Sequence, residues 1–315
     1  MDKKILILDT TGKDWTDKQI ATHENIDVDS IYSKQCLPLR ALRRYHLRSI
    51  LGKRSIWYGA WFHRLSDYDS IIIFSDIKSI SIFKDIRKQG YRGKLCFYYR
   101  DPVLRKNYRP DDIRNLNMDV FLSTFDSSDA KKYNMFLNPQ FFFKELSIKK
   151  EPIVYDAVSI SSDRGRLPLL LATKKLLDKE GIKSYFYILK DKRKNYSKSI
   201  LSPMLYNTPL SYEEILLLNR KSRAIVEINA KGQVGMTNRA MESLFMRKKL
   251  ITNNSTIQAL DFYHSDNIYI INNDKRNIRD FLEIPYNDIT QKSMDYYDFD
   301  AWIYRMQEML NTTIK

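Results

Sequence analysis

Two loops in the second half of the sequence carry side chains suited to binding an anion. The first, SSDRGR at residues 161–166, follows a predicted strand and offers two guanidinium groups, two hydroxyls and a glycine just before a predicted helix. Free backbone N–H groups and the dipole at a helix N-terminus favour an anion, and an arginine can grip a phosphate with two hydrogen bonds. The loop therefore predicts a phosphate site built around Arg164, Gly165 and Arg166.

The second loop, GQVGMTNRAME at residues 232–242, leads from a glycine turn into a predicted helix. Its two glycines let backbone approach a ligand closely, and Thr237 or Asn238 can cap the helix. Arg239 and Glu242 are three residues apart, so they share one face of its first turns. An arginine on phosphate and a glutamate on vicinal hydroxyls together describe a nucleoside diphosphate with its ribose. The residues assigned to this ligand are Arg164, Gly165, Arg166, Gly232, Gly235, Thr237, Asn238, Arg239 and Glu242.

Each loop also has a simpler interpretation. An Asp-Arg-Gly-Arg loop is often a solvated turn, and an Arg and a Glu three apart on a helix often form a surface ion pair. Their joint placement favours a common site, because both loops follow strands of the same half. Ligands of open α/β sheets bind beyond the carboxyl ends of the strands.

The elements that must position these loops form two α/β halves, with a boundary predicted near residues 149–152. The predicted strands are Ile5–Leu8, Ser70–Phe74, Lys94–Tyr99, Val120–Ser123, Ala157–Ile160, Ser184–Leu189, Ala224–Ile228, Leu250–Thr252 and Asn267–Ile271. The predicted helices include Leu37–Leu51, Ile77–Gln89, Ser127–Tyr133, Leu167–Glu180, Tyr212–Arg220 and an amphipathic helix at Tyr297–Leu310. Strands that alternate with helices over such a length predict parallel sheets.

Composition narrows the class of protein. The 315 residues, 43% of them hydrophobic, can fill two cores, and no apolar run approaches the roughly 18 residues of a membrane span. The N-terminus lacks the features of a signal peptide, which predicts a cytosolic protein. The two cysteines and four histidines lack metal-ligand spacing, so neither a metal nor a cofactor is predicted. The net charge of +15, concentrated in residues 1–150, attracts phosphates of nucleic acid, lipid or a small molecule.

Residues 37–64 combine basic and aromatic side chains and contain no acid. Three interpretations stay open: a solvated basic helix followed by core aromatics, contact with an anionic leaflet with the rings at headgroup level, or binding of single-stranded nucleic acid. The side chains concerned are Arg40, Arg43, Arg44, Arg48, Lys53, Arg54, Arg64, Trp57, Tyr58, Trp61 and Phe62.

Several segments resemble a known family. The run LSYEEILLLNRKSRAIVEINAKGQVGMTNRAMESLFMRKKLITNN, together with YDAVSISSDRGRLPLLLATKKLLDKEGIKSYFYIL before it and DFYHSDNIYIIN after it, resembles the donor-binding half of GT-B glycosyltransferases. In particular it is similar to those of bacterial capsule, O-antigen and exopolysaccharide clusters. The first half is similar to them at SIWYGAWFHRLSDYDSIIIFSD and DVFLSTFDSSDAKKYNMFLNPQFF. The resemblance covers most of the chain and is strongest over residues 210–254.

The resemblance implies an α/β protein of GT-B fold, with two Rossmann-like domains facing each other across a cleft. Residues 1–150 would form the acceptor-side domain, residues 151–295 the nucleotide-sugar domain, and residues 296–315 a helix packing back on the first domain. Glu242 matches the family glutamate that holds ribose hydroxyls, Gly235 lies in the glycine loop near the diphosphate, and Arg164 or Arg166 matches the basic loop. Many retaining members carry a second glutamate where this chain has Val234, so the stereochemistry stays open.

The implied activity is that of a hexosyltransferase-like glycosyltransferase, without metal, that moves a sugar from a nucleotide-sugar to a growing capsule, O-antigen or exopolysaccharide. Its expected partners are the nucleotide-sugar, a lipid-linked or oligosaccharide acceptor and an anionic membrane surface, but not nucleic acid. Its expected location is the cytoplasm or the inner face of the cytoplasmic membrane. The alternatives are a nucleic-acid-binding protein and a catalytically silent GT-B subunit of a polysaccharide complex.

Catalysis of this kind needs positive charge and a base. Arg166 and Arg239, with the helix N-terminus, are expected to stabilise the leaving diphosphate. Asp76, after SIIIF, and Asp101, after KLCFYY, are candidates for the general base, although either is equally a helix cap or a partner for Arg100.

Two Asp-x-Asp pairs, Asp27/Asp29 and Asp298/Asp300, have the composition of a metal site but lack supporting residues nearby in the sequence. The first is predicted to lie in a polar loop and the second near the start of the last helix. We interpret both pairs as solvated or capping acids.

Overall fold

The computed structural model describes residues 4–10, 12, 14–47, 53–74, 77–146, 149–196, 203–229, 236–288 and 291–312. The chain divides into two compact units, which we call unit 1 (Met1–Pro139 and Trp302–Lys315) and unit 2 (Gln140–Ala301). The predicted boundary lies about ten residues later, near residue 150.

Unit 1 contains a six-stranded parallel sheet, sheet 1, in the order β2-β1-β3-β4-β5-β6. Its central strands are continuous apolar runs because helices cover both faces of such a sheet. The strands are β1 Ile5–Asp9, β2 Ile26–Ser30, β3 Ser70–Phe74, β4 Lys94–Tyr99, β5 Phe121–Thr124 and β6 Phe136–Leu137. The helices of this part are α1 Trp15–Ile20, α2 Leu37–His46, α3 Ser81–Lys88, α4 Pro110–Arg114 and α5 Ser127–Tyr133.

Unit 2 contains a second six-stranded parallel sheet, sheet 2, in the order β12-β11-β10-β7-β8-β9. Its strands are β7 Tyr155–Ser162, β8 Ser184–Leu189, β9 Leu205–Tyr206, β10 Ser222–Glu227, β11 Lys249–Thr252 and β12 Ile268–Ile270. The helices that follow are α6 Leu167–Lys179, α7 Tyr212–Arg220, α8 Asn238–Phe245, α9 Ile278–Glu283, α10 Gln291–Tyr297 and α11 Phe299–Asn311. Two parallel α/β units are thus confirmed, as the strand–helix alternation predicts.

The end of α11 belongs to unit 1. The ring of Trp302, fully buried, packs edge-on against Tyr98 with centroids 5.1 Å apart. Asn138 donates to the carbonyl of Trp302 (3.1 Å) and accepts from Nε of Arg305 (2.8 Å). These contacts tie the last helix to the segment that follows β6.

The aromatic part of the segment at residues 37–64 lies in the core of unit 1. Trp57, Tyr58, Trp61 and Phe62 are all at most 6% exposed. Nε1 of Trp61 donates to the carbonyl of Ser30 at 3.1 Å, which satisfies its one polar group. The interpretations that place these rings at a lipid headgroup or beneath a nucleobase are therefore wrong, and the core interpretation is correct.

Two expectations about acidic residues need correction. Asp27 lies in edge strand β2, not in a loop, and accepts from the hydroxyl of Tyr68 at 2.7 Å. Asp298 is buried rather than solvated and accepts from the backbone N–H of Lys144 at 3.0 Å, just before α11 begins. Both carboxylates accept hydrogen bonds from residues that are close in space but far away in the sequence.

Candidate functional site

The carboxyl edge of sheet 2 holds three buried carboxyl groups. Asp163 follows β7, Glu227 ends β10, and Glu242 lies on α8. These residues are 0%, 2% and 0% exposed, respectively. Buried carboxyls are expensive unless they are paired, so their partners show how this edge is built.

Asp163 organises the loop at residues 161–166. It accepts from the backbone N–H groups of Gly165 (3.0 Å) and Leu167 (3.2 Å), and so fixes the turn that leads into α6. It also accepts from Nζ of Lys194 (3.0 Å) and the hydroxyl of Tyr196 (2.7 Å). Burial acts to raise the pKa of Asp163, but the hydrogen bonds from Tyr196 and Lys194 outweigh it, and the pKa lies below its ordinary value. Asp163 therefore stays ionised.

The two arginines of this loop differ in what they contact. Arg164 is exposed and, with Gly165, turns through the left-handed region (φ +37° and +86°). Arg166 instead donates to the carbonyl of Ser162 from Nη2 (2.7 Å) and to that of Ile228 from Nη1 (2.9 Å). It thereby joins the carboxyl ends of β7 and β10. Arg164 is the guanidinium presented to solvent, and Arg166 is the one built into the edge.

The start of α8 rests on Glu227. Thr237 is the N-cap residue and accepts from the backbone N–H of Arg239 at 3.1 Å. Its hydroxyl donates to one oxygen of Glu227, and the hydroxyl of Thr252 donates to the other at 2.6 Å. Burial raises the pKa of Glu227 against these hydrogen bonds. The carboxyl of Glu227 thus joins β10, β11 and the N-terminus of α8.

Glu242 is also fully engaged by protein donors. The hydroxyl of Tyr212 (2.6 Å) donates to Oε1, and Nδ2 of Asn219 (2.6 Å) and the guanidinium of Arg239 donate to Oε2. Burial raises the pKa of Glu242, and the charge of Arg239 opposes that shift. A carboxylate offers about four lone-pair sites, so three donors leave little capacity for another. The ribose role of Glu242 stays a prediction. A ribose hydroxyl would have to compete with the three protein donors for the oxygens of this carboxylate.

The other predicted residues are distributed as follows. Asn238 accepts from Nε2 of Gln140 at 2.7 Å. Gly232, Gly235 and Asp76 lie outside the described residues. Asp101, beyond the carboxyl end of β4, is half exposed and pairs with Lys106 at 2.7 Å.

Arg100 is not the partner of Asp101. It pairs instead with Asp9 at the carboxyl end of β1, with 2.9 Å between Nη1 and Oδ2. The suggestion that Asp101 serves Arg100 is therefore wrong. The reason is a tertiary contact between side chains at the carboxyl ends of β1 and β4, on either side of β3, which local sequence does not display.

A cavity of about 530 Å³ opens beside Asp163, and the motif search missed it. Three lysines and one aspartate line it, so its charge is net positive. Tyr196, which also lines it, donates to Asp163. Its lining residues are Lys190, Asp191, Lys192, Lys194, Asn195, Tyr196 and Asn207. The only sequence signal is the alternating run KDKRK directly after β8.

Asn229 is a second residue that sequence reasoning missed. It follows β10, is 3% exposed, and neither polar atom of its side chain has a hydrogen-bond partner in the structure as described. A buried amide without partners is costly, which makes it a candidate ligand contact. The signal in the sequence is an amide two residues beyond a strand end.

Three carboxylates in unit 1 are close enough to share a cation. Within the described residues, the oxygens of Asp9, Asp14 and Asp17 lie within 4.8 Å of one another. Each has a role in the protein, however: Asp9 pairs with Arg100, and Asp14 and Asp17 form the capping box of α1. We therefore assign Asp14 and Asp17 to helix capping and Asp9 to its ion pair with Arg100.

Two solved structures share the fold of this chain. The lipopolysaccharide outer core galactosyltransferase WaaB in its apo form is similar at a TM-score of 0.51 and 11% identity, over 97% of this chain and 98% of that one. An alpha-glucosyltransferase in complex with UDP and a 13-mer DNA containing a HMU base is similar at 0.59 and 12% identity, over 99% and 100%. No family model and no curated protein matches the chain. The predicted GT-B fold is confirmed.

Proposed function

We propose that this chain is a glycosyltransferase that transfers a sugar from a nucleotide-sugar donor held at the carboxyl edge of sheet 2. The observation that carries the proposal is a continuous line of contacts along that edge. Lys194 contacts Asp163, Arg166 of the same loop contacts the end of β10, and Glu227 of β10 contacts Thr237 at the start of α8. A basic cavity, an exposed arginine and a helix N-terminus therefore lie along one edge, where open α/β sheets bind ligands.

Donor chemistry follows from these groups. A diphosphate gains charge as it leaves, and preorganised donors at that position lower the barrier. Arg164 presents a guanidinium to solvent, whereas Arg239 reaches the site already paired with Glu242. We propose that Arg164, Arg166, Arg239 and the N-terminus of α8 supply the positive charge without a metal ion. EDTA should leave the rate of the purified enzyme unchanged, and a rate lost to EDTA and restored by manganese would contradict this.

The donor is tested by ligand-induced stabilisation. The full chain is heated with UDP, GDP, CMP or TDP, and one of them should raise the unfolding temperature. A ligand at about 100 times its Kd stabilises by roughly 2.7 kcal/mol. Arg164→Ala should reduce the shift, whereas Arg223→Ala, whose guanidinium pairs with Glu283 (2.7 Å), serves as the matched control. A chain that ignores all four nucleotides would refute the donor site.

We propose a lipid-linked or oligosaccharide acceptor of a capsule, O-antigen or exopolysaccharide, consumed at the inner face of the cytoplasmic membrane. Asp76 or Asp101 would act as general base. A general base contributes roughly 10²–10⁴-fold, so Asp101→Asn should reduce turnover by that factor if Asp101 is the base. A rate within twofold of the wild type would assign the role elsewhere.

A nucleic-acid acceptor is the second candidate, and two observations favour it: the net charge of +15 and the structural likeness to a glucosyltransferase held with UDP and DNA. This candidate predicts oligonucleotide binding with a steep dependence on salt. A catalytically silent subunit would instead bind nucleotide without sugar transfer. Parallel assays with oligonucleotide and lipid-linked sugar acceptors separate these possibilities.

A further inference from the structure

Eight of the ten residues of helix α2 are exposed, and Arg43 and His46 are half-buried. Its ten residues follow the carboxyl end of edge strand β2, and none of them is buried. Leu37 and Tyr45 are each 77% exposed and Leu42 is 54% exposed. Exposed apolar side chains occur singly on most surfaces, but α2 carries four, since Leu39 is also 40% exposed. Three of them, Leu37, Leu42 and Tyr45, form a patch.

The opposite side of α2 is attached to unit 1, which fixes the direction of the patch. Arg43 donates to the carbonyl of Ser33 at 3.0 Å and lies over the ring of Tyr32. His46 accepts from Nε1 of Trp57 at 2.7 Å. Positions 37, 41 and 45 are four residues apart and lie on the side of the helix away from Arg43, and Leu42, three residues before Tyr45, borders that side. The apolar patch therefore points outward.

Charge on the flank of α2 is entirely positive. Arg40 and Arg44 are exposed, and residues 30–66 contain no acid at all. An apolar face bordered by arginines is the pattern of a helix that lies in the plane of an anionic membrane surface. Among helices within the described residues, none has both the length and the apolar character to cross a bilayer.

We propose that α2 is a membrane-surface helix, with Leu37, Leu42 and Tyr45 in the headgroup–acyl boundary of an anionic bilayer and Arg40 and Arg44 on its phosphates. Because α2 leaves the carboxyl edge of sheet 1, this contact brings that edge to the bilayer. The consequence for a lipid-carried acceptor rests on the proposed function. The binding itself does not.

This proposal differs from binding by charge alone. A purely electrostatic site would lose affinity when Arg40 and Arg44 are replaced and would be indifferent to the leucines. A nucleic acid would likewise use the arginines and leave the apolar face in water. Only an occupant with both an anionic surface and an apolar interior matches both sides of the helix.

The test is co-sedimentation of the full chain with vesicles of phosphatidylcholine alone and of phosphatidylcholine with phosphatidylglycerol. The wild type should bind only the mixed vesicles. Leu37→Ser/Leu42→Ser/Tyr45→Ser should weaken binding on the order of a hundredfold through lost apolar burial. Arg40→Gln/Arg44→Gln should weaken it about 25-fold, at a factor of about five for each basic residue. Leu104→Ser/Tyr304→Ser, at positions 74% and 62% exposed elsewhere in unit 1, should bind as the wild type does.

A second readout reports the depth of the helix. The emission of Tyr45→Trp, after subtraction of the wild-type spectrum, should be quenched by brominated acyl chains. The proposal is overturned if the wild type ignores mixed vesicles at low salt, or if the apolar variant binds as tightly as the wild type. It is also overturned if that variant instead loses oligonucleotide binding or self-association. Nucleotide binding is measured on the same variants, so failure of the membrane contact is distinguished from failure of the donor site.

Discussion

The carboxyl edges of the two sheets are built differently. At sheet 2, Asp163, Glu227 and Glu242 are buried and each accepts hydrogen bonds from partners on other elements. At sheet 1, Asp9 and Asp126 are buried as well, the first paired with Arg100 and the second capping α5. Asp101, however, is half exposed with a lysine partner, and the helix that follows β2 has no buried residue.

This difference indicates two kinds of binding surface. Buried carboxyls that accept hydrogen bonds from neighbouring elements hold the loops of sheet 2 in one geometry, which suits a small ligand with fixed polar groups. An open edge bordered by an exposed helix suits a large partner such as a membrane or a glycan. If the edges differ in this way, substitutions at sheet 2 should change both the free energy of unfolding and nucleotide binding, whereas those at exposed sites should leave stability unchanged.

The largest effect is expected at Glu242. Glu242→Ala should lower the free energy of unfolding by about 3–5 kcal/mol, because Arg239, Tyr212 and Asn219 lose a buried partner. Urea unfolding measures it. The control is Asp111→Ala in unit 1, which removes an ion pair with Arg114 at 3.0 Å whose carboxylate is 71% exposed. It should lower the free energy of unfolding by less than about 1 kcal/mol. If Glu242→Ala keeps wild-type stability but loses nucleotide affinity, the carboxylate serves the ribose rather than the fold.

The two arginines of the loop at residues 161–166 should separate binding from stability. Arg164→Ala should lower turnover on the order of tenfold to a hundredfold while the unfolding free energy stays unchanged, because the side chain is exposed. Arg166→Ala should also destabilise by about 1–3 kcal/mol, since the carbonyls of Ser162 and Ile228 lose a donor. Equal stability losses for both variants would show that Arg164 is part of the fold as well.

The contributions of Asp163 and Glu227 to stability should change with pH in opposite directions, although both residues lie at the carboxyl edge of sheet 2. The pKa of Asp163 is lowered in the folded chain, so its contribution to stability is present above the ordinary aspartate range and is lost as pH falls through the lowered pKa. The pKa of Glu227 is raised by burial, so it costs stability as pH rises from the ordinary glutamate range through the raised pKa.

Urea unfolding across a pH series measures both effects. Asp163→Asn should remove the loss of stability on acidification, and Glu227→Gln should remove the loss on raising pH. Identical pH profiles for the two variants would show that the two carboxyls do not differ as their surroundings indicate.

The smallest effect is expected away from the edge. Asp178 pairs with Lys174 four residues earlier on the surface of α6. Asp178→Ala should cost about 0.3–0.5 kcal/mol, and salt should abolish the difference. A loss of unfolding free energy as large as that of Glu242→Ala would show that burial does not decide how much a carboxylate stabilises unit 2.

Much of the fold can be predicted from local sequence. The strands Ser70–Phe74, Lys94–Tyr99 and Ser184–Leu189 and the helix Tyr212–Arg220 have the predicted bounds. Short apolar runs between turn signals, and a Ser–Glu capping box, are local signals with a direct physical cause. Strand β2 was missed because Asp27 and Asp29 interrupt its apolar pattern, as an edge strand permits.

The candidate site can be predicted from the sequence only in part. Thr237 as the cap of α8 and the anion-suited loop at residues 161–166 follow from residue type and order. The partners of Asp163 and Glu227 do not, because Tyr196 and Thr252 lie 33 and 25 residues away in the chain. Sequence spacing carries no information about which polar groups a tertiary contact will pair.

By itself, the sequence determined the parallel α/β class, the order of elements and a chain with excess positive charge, since these depend on local periodicity and composition. Only the tertiary structure decided which charged and aromatic groups are available. It buried Trp57 and Trp61, paired Arg166 with backbone carbonyls, and left Leu37 and Tyr45 on the outer face of α2. The physical reason is that burial and pairing depend on which elements pack together, and that packing joins residues whose separation in the chain is long.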